Sequence, residues 1–220
     1  MRTMVIAPHP DDETLGVGGT LLRRLSEGHE LAWVIATKVS TNEGWAPEII
    51  QRRDSEIAKV ANLYGFNRVF QLNFATTKLD QYPMSELVDS ISRAFKEFQP
   101  DEVFIPHRGD VHTDHQYIHD ASISCTKWFR YPSISRVLTY ETLSETDFGL
   151  SPDQSFTPNI FVNIDQFIDQ KIEIMNVFSS ELGEFPFPRS IEAIRALASI
   201  RGAASGYKAA EAFQLLRERR

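Results

Sequence analysis

Cysteine is all but missing from this chain. Cys125 is the only one among 220 residues, so no internal disulfide can staple the fold, and its helical surroundings make it a small buried apolar residue. Long hydrophobic runs are missing as well: they fall far short of a membrane span, and the first residues enter a strand without a charged segment followed by an apolar one. A cytoplasmic protein with no membrane insertion is expected. Positive charge is in short supply, with 23 Lys and Arg against 30 Asp and Glu and a net charge of −7, which argues against nucleic acid or an anionic membrane as the principal partner. No repeat, low-complexity tract or composition break divides the chain. At 42% hydrophobic and 24% charged, residues 1–220 read as a single globular domain with a sizeable core.

What is present is a regular alternation. Apolar runs at Met4–Ala7, Leu31–Ala36, Arg68–Leu72 and Glu102–Ile105 read as buried strands, each followed by a loop and a stretch of helical periodicity. That order predicts an α/β, Rossmann-like fold: a mainly parallel sheet flanked by helices, with the active site at the C-terminal ends of the strands. The clearest helix follows Pro83, where Met84, Leu87, Val88, Ile91, Phe95 and Phe98 share one face before Pro100 ends it. Val137–Tyr140 and Ile160–Ile164 predict two more strands on either side of a polar, irregular segment, Glu141–Pro158. Amphipathic helices are expected over Asp165–Phe178 and Arg189–Ile200, and a last helix from Tyr207. The glycines of Gly16-Val17-Gly18-Gly19 fall inside the first helix and not ahead of it, which suits close packing on the sheet better than a dinucleotide loop.

Chemistry concentrates at two strand ends. Ala7-Pro8-His9-Pro10-Asp11-Asp12-Glu13 sets one imidazole and three carboxylates into five consecutive positions, and its prolines keep the backbone extended before a helix starts at Glu13 or Thr14 and runs toward Leu25. Asp110-Val111-His112-Thr113-Asp114-His115 follows the strand ending at Ile105 in the same way. If the two strands are parallel neighbours, His112 or His115 faces His9 and Asp12 across the crevice, and two histidines with one carboxylate hold a cation while leaving a position for water. Zn2+ suits that donor set best, Fe2+ accepts the same ligands, and calcium or magnesium would want more oxygens.

Both motifs resemble signatures of the LmbE or PIG-L superfamily of zinc-dependent N-deacetylases, which act mainly on N-acetylglucosamine derivatives. Pro8–Glu13 is similar to the family's Ala/Pro-His-Pro-Asp-Asp-Glu, and His112–His115 to its His-Pro-Asp-His, with Thr113 in place of the proline. Further similarity covers Arg53–Glu56, Pro188, Arg189, Arg201-Gly202 and Ala210-Glu211-Ala212-Phe213, nearly the whole chain. The resemblance implies that His9, Asp12 and His115 bind the metal, that Asp11 is the general base, and that His112 steadies the oxyanion or acts as acid. A protonated His112 would suit that task. Asp110 and Asp114 are candidates to orient the histidines, Asp114 being counted with the catalytic set. The implied partner is a small N-acetyl sugar, and a homo-oligomer is left open.

The remaining candidates divide between chemistry and packing. Arg53 falls on the helical face of Ile50, Ile57, Val60, Ala61 and Tyr64, where a cation needs a partner; it is either an internal ion pair or a clamp on substrate hydroxyls or phosphate. Trp45, in the loop Lys38–Pro47, offers an apolar face to a sugar ring. Arg189 and Arg201 read as helix-surface or packing residues, and His29, His107 and His119 as structural or exposed, with His119, one turn beyond His115, also a candidate contact of the ligand set. Three other readings are weighed. A nucleotide-binding oxidoreductase would meet acids where its pyrophosphate should sit. A metal- or carbohydrate-binding module would not need Asp11, and a metal-dependent amidase acting on a non-sugar N-acyl group would use the same machinery.

Overall fold

The computed structural model describes Met1–Arg220. Seven strands form one sheet: β1 (Arg2–Ala7), β2 (Glu30–Lys38), β3 (Arg68–Ala75), β4 (Glu102–Pro106), β5 (Arg136–Tyr140), β6 (Ile160–Asn163) and β7 (Ala210–Glu218), in the order β3-β2-β1-β4-β5-β7-β6. The first five are parallel, and β7 runs antiparallel between β5 and β6. Six helices accompany them: α1 (Asp12–Ser26), α2 (Pro47–Tyr64), α3 (Met84–Phe98), α4 (Thr113–Ser124), α5 (Ile168–Met175) and α6 (Ile191–Ala203). No helix is long and apolar enough to cross a membrane.

Strand periodicity splits the core in two. In β1, Val5 and Ala7 join the cluster under α1, α2, α5 and α6, while Met4 and Ile6 join the one under α3 and α4. Leu31, Trp33 and Ile35 alternate with Ala32, Val34 and Ala36 in β2 in the same fashion. Both faces are covered, which is why these strands read as unbroken apolar runs. Most of the stripe on α3 is core: Leu87, Ile91, Phe95 and Phe98 are buried and Val88 half-buried, whereas Met84, in the first turn, is exposed. The glycines of α1 let it lie against its neighbours. A Cβ on Gly16 would stand 2.2 Å from Cδ2 of Tyr140, and one on Gly19 would stand 2.7 Å from Cγ2 of Ile164.

The C-terminal third departs from expectation in three places. The helix expected from Tyr207 is a strand, because Ala210–Phe213 closes the gap between β5 and β6 and the Glu211 carboxylate accepts from the amides of Gly19 and Thr20 and from Lys171. The helix expected over Asp165–Phe178 starts only at Ile168, since the Asp165 carboxylate is tied to the Ala209 amide instead of capping, and it passes into a 3₁₀ turn over Asn176–Glu181. The third shift is small but matters to the site. Ser190 is the N-cap of α6, its hydroxyl accepting from the Ala193 amide, so Arg189 lies before the helix and not on its surface.

Strands β1 and β4 are adjacent, with Val5 paired to Phe104. The chain moves from β1 outward to β3 on one side and from β4 outward on the other, so the crevice at their C-terminal ends is the switch point of the sheet.

Candidate active site

The loop leaving β1 turns sharply into α1. Asp11, at the N-cap, has φ 135° and ψ −29°, a positive-φ conformation that costs a side-chain-bearing residue about 1–3 kcal/mol. That turn separates two adjacent carboxylates. Asp12, the first residue of α1, bends back so that Oδ2 accepts from the His9 amide at 2.8 Å, while Asp11 Oδ2 lies 3.2 Å from Nη1 of Arg189. Glu13 is fully buried; its Oε2 accepts from the Asp11 amide at 3.0 Å and its Oε1 from the Thr14 hydroxyl at 2.6 Å.

The loop after β4 supplies the opposing groups. His115 Nε2 is 3.3 Å from Asp12 Oδ2, and His9 Nδ1 is 3.5 Å from the same oxygen. Each ring is held from behind by an aspartate of the second motif: Asp110 Oδ2 lies 2.8 Å from His115 Nδ1, and Asp114 Oδ2 lies 3.1 Å from His9 Nε2. Both aspartates are fully buried. Their other bonds come from the loops after β5 and β3: Thr146 Oγ1 donates to Asp110 at 2.6 Å, and the Thr77 amide donates to Asp114 at 2.7 Å. His112 caps α4, its Nδ1 accepting from the Asp114 amide at 3.1 Å. A neutral ring bonded in that way carries its proton on Nε2.

The electrostatics of this cluster favour positive charge. Burial works against a charged His9, yet the Asp114 and Asp12 carboxylates outweigh it and hold the ring up at about 9. His115 is raised in the same way by Asp12 and Asp110, and their cationic rings hold Asp12 well below the usual carboxylate range despite its burial. His112 goes the other way: burial, then the charges of His9 and His115, push it down to about 4. Burial, with Asp12 and Glu181 nearby, pushes Asp11 up to about 7, and burial pushes Glu13 up to about 8.

His9, Asp12 and His115 meet the requirements of a cation site on their own geometry. Their ligand atoms lie within 4.8 Å of one another, and His115 Nε2 is buried with no hydrogen-bond partner. An imidazole, a carboxylate and a second imidazole, with aspartates fixing both rings from outside, form the donor set and outer support usual for zinc or ferrous iron. His9, His112 and Asp114 form a second such grouping that shares His9.

A cleft opens above the cluster. His9, Asp11, Asp12 and His112 line its floor; Trp45, Arg53, Arg189 and Glu181 stand in its walls. Trp45 is 40% exposed, so its indole is free to meet a ligand. Arg53 is an ion-pair member, bound to Glu181 and 3.3 Å from Glu56, and at the same time part of the wall. Arg189 corrects the sequence reading: it bridges Asp11 and, at 3.5 Å, Glu181. The serine that follows it, a helix cap, was the signal for its position. Arg201 does serve packing, in a two-pronged pair with Glu141. His29 meets Thr3, His107 the carbonyl of Gln154 and His119 that of Pro106, so His119 does not reach the ligand set.

The family description PIG-L, GlcNAc-PI de-N-acetylase, matches residues 4–126, over half of the chain and the part that carries both motifs. The chain belongs to the PIG-L family. Diacetylchitobiose deacetylase of Thermococcus kodakarensis is 24% identical over 232 residues, spanning 98% of this chain and 83% of that protein. Among solved structures, the N,N'-diacetylchitobiose deacetylase from Pyrococcus horikoshii, complexed with an inhibitor, superposes with a TM-score of 0.80 at 23% identity, over 98% of this chain and 84% of the other. The 4-carboxy-2-hydroxymuconate hydratase GalB of Pseudomonas putida superposes with a TM-score of 0.74 at 16% identity, over 100% and 98%. One fold thus carries a deacetylase and a hydratase. Which reaction this PIG-L member performs has to be argued from its side chains.

Proposed function

We propose that the chain is a metal-dependent N-deacetylase that hydrolyses the acetamide of an N-acetylglucosamine-type sugar, with residues 1–220 acting as one domain. The observation that carries this reading is the geometry of the cleft floor: Asp11 stands outside the ligand cluster beside Arg189, and His112, its Nδ1 occupied by the Asp114 amide, has Nε2 left for a substrate. Zinc or ferrous iron held by His9, Asp12 and His115 would supply Lewis acidity, polarising the amide carbonyl and acidifying water. Asp11 takes the proton of the attacking water as its oxygen bonds to the acetyl carbon. His112 donates its Nε2–H to the carbonyl oxygen as negative charge grows there. The proton collected by Asp11 then passes to the nitrogen as the C–N bond breaks, leaving acetate and a free amine. Asp110 and Asp114 act through the rings they hold and do not touch substrate.

The walls suit a sugar better than an acyl amino acid. Val39, Trp45 and Ile57 are the only hydrophobic residues lining the cleft, so hydroxyl groups find partners and a large aliphatic side chain does not. Trp45 presents a face for a pyranose, and Arg53, fixed by Glu181, presents a rigid polar edge. Acetate release from zinc-loaded protein, measured over N-acetylglucosamine, diacetylchitobiose, N-acetylglucosaminyl conjugates and N-acetyl amino acids, tests the reading. Turnover confined to the sugars is expected; turnover confined to the amino acids, or none at all, overturns it.

A further inference from the structure

Asp11 holds a conformation that its own chemistry disfavours, and something must keep it there. The positive φ is unsupported by any glycine, and Asp11 makes no side-chain cap bond to α1. Its carbonyl is committed to the helix, accepting from the amides of Thr14 and Leu15 at 2.9 and 2.8 Å. Its amide, by contrast, points away from the backbone ladder and donates to Glu13 Oε2. A carboxyl group two residues ahead thus provides the acceptor that the turn removes from the main chain.

Glu13 is itself immobilised. Its Oε1 accepts from the Thr14 hydroxyl, which accepts in turn from the Tyr64 hydroxyl at 3.2 Å, and Tyr64 is buried in α2. None of these groups faces the cleft. The relay therefore runs from the core of the molecule to the backbone of the residue that touches the reaction. Were the Asp11 amide left without this acceptor, φ would relax toward the negative region, and rotation about that bond would turn the Asp11 side chain toward the direction already occupied by Asp12.

We propose that Glu13 is a positioning residue for the Asp11 base: by accepting the Asp11 amide it fixes the backbone turn that keeps the Asp11 carboxylate in the cleft beside Arg189, while Asp12 is held separately by the His9 amide. This rests on the deacetylase reading for its kinetic consequence but not for its structural one. The distinction matters because the same positive-φ turn can be inspected in protein that turns nothing over.

Two substitutions separate the acceptor from the volume. Glu13→Met fills the space without an acceptor; Glu13→Gln keeps an oxygen for the Asp11 amide. In the crystal structure of Glu13→Met, Asp11 is expected to leave positive φ and its carboxylate to lose Arg189, while in Glu13→Gln both are retained. With a turned-over sugar, kcat of Glu13→Met should fall about tenfold to a hundredfold, the range of an angstrom-scale misplacement, with KM and zinc content held, and Glu13→Gln should recover most of the loss. Combined with Asp11→Asn, Glu13→Met should cost nothing further, because its effect passes through Asp11. If Glu13→Met fails to fold, Glu13→Ala removes the same acceptor and is judged by the same measures. An unchanged Asp11 in the crystal, losses that multiply with Asp11→Asn, or a Glu13→Gln variant as impaired as Glu13→Met each overturn the proposal. Wild-type protein inert toward every sugar would overturn the deacetylase reading alone, and the crystal structures would still decide the role of Glu13.

Discussion

Nη1 of Arg189 lies 3.2 Å from Oδ2 of Asp11, across 178 positions of sequence. The C-terminal part of the chain thereby sets the charge beside the proposed base. Burial and the charges of Asp12 and Glu181 raise Asp11 to about 7, whereas Arg189 and His9 pull it down. A base works only when deprotonated, so kcat/KM should be lost as pH falls through that midpoint, well above the ordinary carboxylate range. Removing the cation disfavours the carboxylate, and Arg189→Gln should move the acidic limb to higher pH. A pH–rate profile checks this; a limb that stays put, or moves down, contradicts the pairing.

Metal content gives a second test. Wild-type protein should bind about one equivalent of zinc or iron, and His115→Ala should lose most of it, since three ligands cannot spare one. Asp110→Ala, which frees the His115 ring and leaves the Thr146 hydroxyl without its acceptor, should weaken binding by about 10–100-fold without abolishing it. Elemental analysis and chelator competition read both variants, and full retention by His115→Ala would remove that residue from the ligand set.

Binding and chemistry should separate at Asp11. Asp11→Asn keeps the shape of the turn and the cluster of His9, Asp12 and His115, so metal content and melting temperature should stay near wild type while kcat drops by about a hundredfold or more. Loss of metal from this variant would make Asp11 a ligand and send the search for the base elsewhere.

The cleft walls should report on substrate. Trp45→Ala and Arg53→Ala are expected to raise KM or shift preference among N-acetylglucosaminyl substrates, with metal content undisturbed, because both residues stand in the wall and neither enters the cluster. Steady-state kinetics that match wild type for several sugars would leave Arg53 as the ion-pair partner of Glu181 and nothing more.

Helix α1 makes a prediction about stability. Gly16→Ala drives a methyl to 2.2 Å from the Tyr140 ring, whose hydroxyl is fixed to the Ile6 carbonyl at 2.8 Å and cannot swing aside without losing that bond. Overpacking of this kind costs about 1–3 kcal/mol, visible as a lower urea midpoint at unchanged m.

What the sequence disclosed, and what it hid, follows from where each residue finds its partners. Strands β1, β2, β4 and β5 were legible because both faces of a parallel sheet are apolar and helices separate them, whereas β3, expected to be buried, is an edge strand in which only Phe74 and Ala75 are buried. His9, Asp12 and His115 were legible because strand ends concentrate them within short motifs. The run Lys208–Arg220 was misread since its Ala, Glu, Leu and Arg favour helices, and only pairing with β5 and β6 makes it extended. Ser190 marks Arg189 as lying ahead of a helix, but nothing local to Thr77, Thr146 or Arg189 names the aspartate that each one meets. Each meets the site through contacts at long sequence separation, which neither periodicity nor spacing encodes.

Strand β7 has a consequence for the newborn chain. Both signature motifs leave the ribosome long before Ala210–Glu218, yet this strand is the one that joins β5 to β6, and its Glu211 anchors the amides of Gly19 and Thr20 in the helix that Asp12 begins. Until it arrives, β5 presents an unpaired edge, open to the wrong neighbour on a crowded polysome. The ligand residues are therefore made first and fastened last, and a nascent chain halted before Glu211 carries the whole signature without the strand that holds its first helix in place.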